Sequence, residues 1–175
     1  VFPQNVTATA SAAFQKTGMT SVTVLKDISY GSNAFDSCAS LVSVTVEEGV
    51  TEIGNYMFQN TKLTSVTLPN SVTKIGASAF NGCSLTTINF GQGVKTIENS
   101  AFQNCGELTE IILPDATETL GQNAFGDCPK LAKISLGKNM KTLEAYCFVG
   151  YSKGCPLLGD IICRATTPPT LKDDY

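Results

Sequence analysis

Cysteine has the widest chemical range of any side chain in this sequence, because a thiolate binds metals, attacks carbonyl carbons and forms disulfides. Five of the seven cysteines end one recurring pattern, Ala-Phe-x-x-Cys or a close variant of it. They are Cys38, Cys83, Cys105, Cys128 and, after an insertion, Cys155. Cys147 and Cys163 replace apolar residues elsewhere in the same repeating pattern. This placement predicts small, buried side chains with free thiols.

Disulfides and a zinc site are the alternatives for these cysteines. Repeats stacked about 4.8 Å apart would bring neighbours such as Cys83 and Cys105 within the Cα separation that a disulfide tolerates, so pairing stays open. A zinc site is disfavoured because no C-x-x-C pair occurs and parallel, stacked thiols do not converge on a tetrahedral ion. We therefore predict no metal and no cofactor.

The composition also disfavours catalysis. The chain has no histidine, which is the commonest general base near neutral pH. The adjacent carboxylates Glu47 and Glu48, and likewise Asp173 and Asp174, are more typical of solvated charge than of an acid–base pair converging in a cleft. We predict that the protein is not an enzyme.

The charge and hydropathy patterns limit the possible partners. The formal net charge is −3 and the 12 basic residues are scattered along the chain, so no basic stripe is available to neutralise the phosphates of a nucleic acid. No apolar run approaches the roughly 20 residues that cross a bilayer, and no signal peptide is recognisable. We predict no nucleic-acid partner and no membrane span, with any export signal lying outside this sequence.

Phenylalanine reveals an internal repeat. The clearest copy runs from Leu63 to Cys83 and reads L-x-x-V-x-L-P-x-x-V-x-x-I-G-x-x-A-F-x-x-C. Its phenylalanine recurs every 21 to 23 residues, as Phe14, Phe35, Phe58, Phe80, Phe102, Phe125 and Phe148. All nine phenylalanines, including Phe2 and Phe90, fall in apolar columns, which predicts a buried ladder of rings.

Each repeat divides into two parts. The first half alternates apolar and polar residues, as in Val66, Thr67 and Leu68, which predicts one short strand with one face buried. A glycine such as Gly76, equivalent to Gly31, Gly54 and Gly121, suits a turn with positive φ. The A-F-x-x-C segment then predicts a single helical turn, because residues three apart share one face of a helix. Such a unit buries its apolar face only by stacking on its neighbours.

The repeats define the expected domain limits. Residues 1–163 contain about eight repeats, the first incomplete because Phe2 aligns with Leu68 in mid-repeat. Residues 164–175 contain Pro168 and Pro169, which interrupt regular structure, so this segment is expected to be a C-terminal cap or the start of a linker. We expect further domains of the same chain beyond this segment.

These columns resemble the BspA-like family of bacterial leucine-rich repeats, whose consensus carries the same I-G-x-x-A-F-x-x-C half. The resemblance implies an α/β repeat fold, β-rich overall: a right-handed leucine-rich-repeat solenoid with one strand and one helical turn per 22- to 23-residue repeat. It implies an extracellular or cell-surface protein whose partners are proteins or glycans on host or neighbouring cells. The sequence departs from commoner leucine-rich repeats, since no asparagine ladder follows the strand.

The polar residues that alternate with the buried strand positions predict the exposed strand face. Its C-terminal half is the candidate ligand face, because apolar Ile112 and Ile162 stand there beside alternating charges. The candidate residues are Thr87, Asn89, Thr109, Glu110, Ile112, Lys133, Ser135, Asp160 and Ile162. Two alternatives stay open: hydroxyl-bearing side chains here stabilise the sheet surface without binding anything, or the whole solenoid is a structural spacer in a larger surface protein.

Overall fold

A computed structural model describes residues 6–150 and 152–172 of the chain. The fold is a parallel β-solenoid in which each repeat makes one coil, named below by its phenylalanine. In chain order the strands are β1 (Ser21–Val24), β2 (Ser43–Val46), β3 (Glu52–Ile53), β4 (Ser65–Thr67), β5 (Lys74–Ile75), β6 (Thr87–Asn89), β7 (Thr96–Ile97), β8 (Glu110–Ile112), β9 (Thr119–Leu120), β10 (Lys133–Leu136), β11 (Thr142–Glu144), β12 (Asp160–Cys163) and β13 (Thr170–Lys172).

The predicted strand of each repeat forms one face of the solenoid, here called the strand face. Its strands are β1, β2, β4, β6, β8, β10 and β12, and they pair in parallel as β1–β2, β4–β6 and β8–β10–β12. The alternation of buried and exposed residues follows the sequence pattern, as in β4, where Val66 is buried between exposed Ser65 and Thr67. The solenoid is therefore confirmed, and so are the inward-facing positions of β1 to β10, which are buried or partly buried. In β12 all four residues, including Ile161 and Cys163, are exposed, so the prediction is wrong there.

The prediction of one strand per repeat is wrong, because a second strand follows each strand of the strand face from β2 onward. These strands, of two or three residues, form one six-stranded parallel sheet in the order β13-β11-β9-β7-β5-β3. Four of them, β3, β5, β7 and β9, each bury one apolar residue: Ile53, Ile75, Ile97 and Leu120. β13 lies within the segment expected to be a cap or linker, and it extends this sheet beside β11.

The predicted helical turn, and with it the α/β class, is also wrong: the described residues contain no helix. Two positions per coil, two residues before and two residues after the phenylalanine, have positive φ, which breaks the run of right-handed residues that a helix requires. In the Phe102 coil these are Ser100, with φ 57°, and Asn104, with φ 59°. The described residues therefore include no helix that is long and apolar enough to cross a membrane.

These left-handed residues turn the backbone toward the neighbouring coil. The N–H groups of Tyr56, Phe58 and Asn60 each donate 2.8 Å hydrogen bonds to carbonyls of the Phe80 coil. A helix would direct the same N–H groups along its own chain. The segment thus forms a third hydrogen-bonded face of the solenoid, and this bonding replaces the predicted helix.

The phenylalanine ladder is confirmed for the described residues, while Phe2 lies outside them. Rings of Phe80, Phe102 and Phe125 stack with centroids 5.2 and 5.3 Å apart and interplanar angles of 4°. The phenylalanines at 35, 58, 80, 102 and 125 are at most 1% exposed. Such offset aromatic stacking adds to the free energy of apolar burial, so this column forms the axis of the core.

The glycines after the second strand do not have the predicted positive φ. Instead, Gly31, Gly76 and Gly121 leave room for the main chain of the preceding coil. A Cβ on Gly76 would lie 2.8 Å from the Asn55 nitrogen and 2.9 Å from the Ile53 oxygen. A Cβ on Gly121 would likewise lie 2.6 Å from the Asn99 nitrogen. The expected turn conformation is therefore wrong, and close backbone approach explains the glycine.

Candidate functional site

The C-terminal part of the strand face aligns most of the predicted site residues in two rows. In the β8–β10–β12 ladder, Lys133 lies between Glu110 and Asp160, and Ser135 lies between Ile112 and Ile162. Parallel pairing in register causes this, because residues at equal positions in successive repeats become lateral neighbours. One row is therefore charged, and the other is apolar on both sides of a serine.

The charged row is organised by one cation. Lys133 Nζ lies 2.9 Å from Glu110 Oε1. The hydrogen bond with Glu110 raises the pKa of Lys133, and the charge of Asp160 acts in the same direction. Both side chains of the ion pair are about half exposed to solvent, so the row remains accessible to a ligand.

Ile112 is the most informative residue of the apolar row. Its side chain is 60% exposed on β8, which has coils on both sides along the chain but is the edge strand of its three-stranded sheet. Ile162 is 45% exposed, but it lies in β12, where Ile161 is also exposed. The exposure of Ile162 therefore reflects the position of its coil, whereas that of Ile112 is a property of the strand face.

The remaining predicted residues divide between two ladders. The Thr109 carbonyl accepts a 2.9 Å hydrogen bond from the Ala132 N–H, which attaches Thr109 to the same ladder as Glu110. Thr87 and Asn89 are exposed on β6, which pairs with β4 and not with β8. Within the described chain, no ladder joins β6 to β8. Thr87 and Asn89 therefore lie beside the other candidates across a break in the sheet.

This break coincides with a change in the length of the loop before the strand. Leu85 is the second residue after Cys83, whereas Leu108 is the third residue after Cys105. The loop before β4 also differs in length from the loop before β2, and these two strands do not pair. The loops before β1 and β2 differ in length as well, but β1 and β2 do pair. A loop-length difference therefore accompanies both breaks, but it does not by itself cause one, since β1 and β2 pair across it.

A groove of about 360 Å³ lies at the break, and it contains residues that the sequence did not indicate. Predicted residues Asn89 and Ile112 line it together with Gln92, Asp115 and Arg164. Arg164 belongs to the segment expected to be a cap, yet its guanidinium bonds the main chain of two successive coils. Its Nε donates to the Leu136 carbonyl at 3.1 Å and its Nη2 to the Leu113 carbonyl at 3.0 Å.

The groove carries an ion pair at its end. Arg164 Nη2 lies 3.3 Å from Asp115 Oδ1, and Lys138 Nζ lies 2.9 Å from Asp115 Oδ2. The Lys138 hydrogen bond, followed by the charge of Arg164, lowers the pKa of the Asp115 carboxyl. The arrangement combines an exposed apolar side chain, amides and a fixed guanidinium, which suits noncovalent recognition of a partly polar ligand.

The five buried thiols are poorly suited to nucleophilic chemistry. All seven cysteines are free, and Cys38, Cys83, Cys105, Cys128 and Cys147 are buried. Burial raises the pKa of Cys83 to about 11, and burial also raises that of Cys105. A protonated thiol in the core is a weak nucleophile. Within the described residues, no cluster of three or more metal-ligating side chains occurs.

Comparison with protein families identifies the repeat. The family described as BspA type leucine rich repeat region matches residues 1–84 and 28–155, in six copies. Together the two overlapping matches cover most of the chain. None of the curated proteins matches this chain.

Solved structures share the fold. A leucine-rich repeat protein from Bacteroides ovatus ATCC 8483 is 29% identical with a TM-score of 0.77, covering 99% of this chain and 46% of its own. One from Eubacterium ventriosum ATCC 27560 is 30% identical with a TM-score of 0.71, covering 95% and 49%. A leucine rich cell surface protein from Faecalibacterium prausnitzii A2-165 is 24% identical with a TM-score of 0.70, covering 94% and 53%. The chain thus spans about half the length of these proteins.

Proposed function

The chain belongs to the BspA type leucine rich repeat family, and we propose that it is a non-catalytic recognition module that binds a protein or glycan through the strand face. We further propose that it acts at the cell surface or outside the cell, with its ligand on host or neighbouring cells. The description of the similar Faecalibacterium prausnitzii protein as a cell surface protein supports this location.

The observation that carries the proposal is the exposure of Ile112 on an ordered ladder. An isoleucine 60% exposed between charged and hydroxyl-bearing neighbours gains from contact with an apolar group of a ligand, since burying it removes apolar surface from water. The surrounding strands hold their main chain by hydrogen bonds. A ligand therefore meets a preorganised surface, which reduces the entropy lost on binding.

The polar neighbours would orient the ligand. Lys133 is held by Glu110 at 2.9 Å, and Arg164 is fixed at the other side of Ile112 by the carbonyls of Leu113 and Leu136. These two cations flank the isoleucine. A ligand with an apolar centre and hydrogen-bond acceptors on both sides is complementary to this arrangement.

The test compares Ile112→Ala with a matched control on the same face. Val42 is also a branched apolar residue, 52% exposed, beside β2 in the N-terminal half of the strand face. Wild-type protein and each variant would be applied to immobilised extracellular-matrix proteins and to a glycan array. We expect Ile112→Ala combined with Lys133→Ala to weaken binding by about tenfold or more, with Val42→Ala unchanged.

Two results would contradict the proposal. If the double variant binds every surface as strongly as the wild type, the strand face is not the binding site. If the wild type binds none of them, the alternative of a structural spacer without its own ligand is favoured. Circular dichroism spectra of the variants should match the wild type, because the three substituted side chains are exposed or half-exposed.

A further inference from the structure

One coil is shorter than its neighbours between the two strands. Val24 and Gly31 are seven positions apart, whereas the equivalent residues Val46 and Gly54 are eight apart. The missing position lies between Ile28 and Tyr30. A strand of fixed rise cannot span the same side of the solenoid with one residue fewer and keep its register.

The shortened segment pairs with the coil before it and not with the coil after it. The Ser29 N–H donates to the Thr7 carbonyl at 2.9 Å, and the Thr9 N–H donates to the Ser29 carbonyl at 2.9 Å. On its other side lies β3, the edge strand of the six-stranded sheet. Within the described chain, no main-chain hydrogen bond joins β3 to this segment.

The edge of β3 consequently carries main-chain groups that have no partner within residues 6–150 and 152–172. In the next coil, the Thr73 N–H donates to the Thr51 carbonyl and the Gly76 N–H to the Ile53 carbonyl, both at 2.8 Å. The equivalent donors on β3 are the N–H groups of Thr51, Glu52 and Gly54, which have no acceptor among the described residues. Carbonyl directions alternate along a strand, so the Glu52 carbonyl points to the same open side of β3 as these N–H groups.

The glycines give an independent measure of this opening. A Cβ on Gly31 would collide with the main chain of Ala10 and Ser11, and a Cβ on Gly76 would lie 2.9 Å from the Ile53 oxygen. A Cβ on Gly54 would meet nothing within 4 Å. The preceding coil therefore lies close at Gly31 and Gly76 but leaves open space at Gly54. It closes again at the next residue, where the Asn33 N–H donates to the Asn55 carbonyl at 3.0 Å.

The opening is a groove of about 580 Å³, within the roughly 300–1,000 Å³ range of ligand pockets. It is lined on one side by residues 24–30 and on the other by residues 49–52, 54 and 55, and these include the charged residues Lys26, Asp27 and Glu52. Buried Ile28 and Val50 also line it. The groove therefore combines an apolar floor with a polar, hydrogen-bonding edge.

We propose that this groove binds a short extended peptide segment of a partner protein, which adds as a parallel strand to the edge of β3. The regular ladder defines the pairing. A first peptide carbonyl accepts from the N–H groups of Thr51 and Glu52. Two residues later, the peptide N–H donates to the Glu52 carbonyl and the peptide carbonyl accepts from the Gly54 N–H.

The same register defines the side chain that the groove accepts. The peptide residue beside Ile53 faces the interior, where Tyr30 already packs against Phe35 with ring centroids 5.7 Å apart. A small residue is therefore required at that position. Flanking residues point outward, past Lys26 and Glu52, and are less restricted.

The first test uses a defined probe, the blocked pentapeptide acetyl-TVAVT-amide, titrated into ¹⁵N-labelled protein to millimolar concentration. We expect amide shift changes at Thr51, Glu52 and Gly54, and none at Gly76, which is already bonded. Methylating the nitrogen of the central alanine removes the donor to Glu52 and should weaken binding by about tenfold. Methylating the valine before it, whose N–H points away, should leave binding unchanged.

The second test uses the protein. Gly54→Ala is accommodated in the empty groove, but its Cβ would occupy the space of the added strand, as Gly76 shows for the regular coil. We expect this variant to fold and to lose the shift changes. Thr51→Ala is the matched control, since it retains every main-chain donor, and Ile112→Ala should bind the peptide normally because it lies on the strand face.

Three results would overturn the proposal. The first is no shift change at Thr51, Glu52 and Gly54 at millimolar peptide. The second is equal binding by the peptide methylated at alanine or by Gly54→Ala. The third is slow hydrogen exchange of the Gly54 N–H in the free protein, which would mean that the shortened coil closes on β3 in solution.

Discussion

The thiol of Cys105 donates a 3.2 Å hydrogen bond to the main-chain carbonyl of Phe80 in the preceding coil. Cys83 makes the equivalent bond to Phe58 at 3.1 Å, and Cys128 makes it to Phe102 at 3.3 Å. The cysteine column therefore links successive coils through hydrogen bonds in addition to filling the core. This role explains why the repeat favours a small side chain with a donor.

Replacing Cys105 with alanine should lower the free energy of unfolding by about 1–3 kcal/mol, because the substitution removes both the hydrogen bond and the buried sulfur. Threonine should cost less, since Thr61 occupies the same column and its buried hydroxyl is satisfied by the Phe58 carbonyl of its own coil at 2.9 Å. Urea denaturation measures the difference. Cys163→Ala is the control, because Cys163 is exposed; equal losses at both positions would refute the role of the column.

The glycine of each coil gives a second prediction. Gly76→Ala should destabilise the protein by about 1–3 kcal/mol, because its Cβ would lie 2.8 Å from the Asn55 nitrogen and 2.9 Å from the Ile53 oxygen. Gly54→Ala should be neutral or stabilising by about 0.4–1 kcal/mol, since nothing lies within 4 Å of that Cβ. Thermal unfolding of the two variants checks the contrast, and a larger loss for Gly54→Ala would contradict it.

The phenylalanine ladder gives a third prediction. Phe102 stacks on Phe80 and Phe125 and meets Phe90 edge-on at 5.6 Å. Phe102→Ala should lower the free energy of unfolding by about 3–5 kcal/mol, because it creates a large cavity and removes three aromatic contacts. Phe14→Ala should cost clearly less, since Phe14 is only partly buried. Chemical denaturation of both variants measures the two losses, and the prediction fails if Phe14→Ala lowers the free energy of unfolding as much as Phe102→Ala does.

The repeat period and the core could be predicted from the sequence because they depend on side-chain polarity. Phe80 and Cys83 recur with the coil, and Val66 alternates with exposed residues, so burial is visible as periodicity. The helical turn could not be rejected in this way. Spacing of three residues fits a helix and also fits a segment with left-handed residues at Ser100 and Asn104. The signal that the sequence did contain is the recurrence of Asn, Asp or Gly at such positions, since these residues adopt positive φ more readily than others.

The candidate site was predictable only where it depends on alternation within a strand. Ile112 and Lys133 follow from that pattern, and the register of β8 and β10 brings them onto adjacent strands. Arg164 does not, because its bond to Leu113 joins residues 51 positions apart. Contacts of that kind depend on the stacking of whole coils, which local pattern does not encode.

Asp127 anchors the insertion before the last cysteine and gives a fourth prediction. Its buried carboxylate accepts main-chain hydrogen bonds from Ser152 at 2.9 Å, Lys153 at 2.5 Å and Gly154 at 2.9 Å. Asp127→Ala should cost about 2–4 kcal/mol, since three bonds to a charged acceptor are lost. Hydrogen exchange at residues 152–154 should accelerate strongly. Asp160→Ala, an exposed carboxylate, is the control, and unchanged exchange in Asp127→Ala would contradict the anchoring role.

Alkaline pH should weaken the fold through the buried thiols. Burial raises the pKa of Cys83 and of Cys147 from 9.0 to about 11. The unfolded chain therefore loses these protons first, so stability is intact below about pH 9 and falls as the pH rises to about 11. Each thiol contributes a slope of up to about 1.4 kcal/mol per pH unit in that window. Urea midpoints between pH 8 and pH 11 measure the slope; it should be shallower in Cys83→Thr, and an identical slope would show that the Cys83 thiol is not responsible.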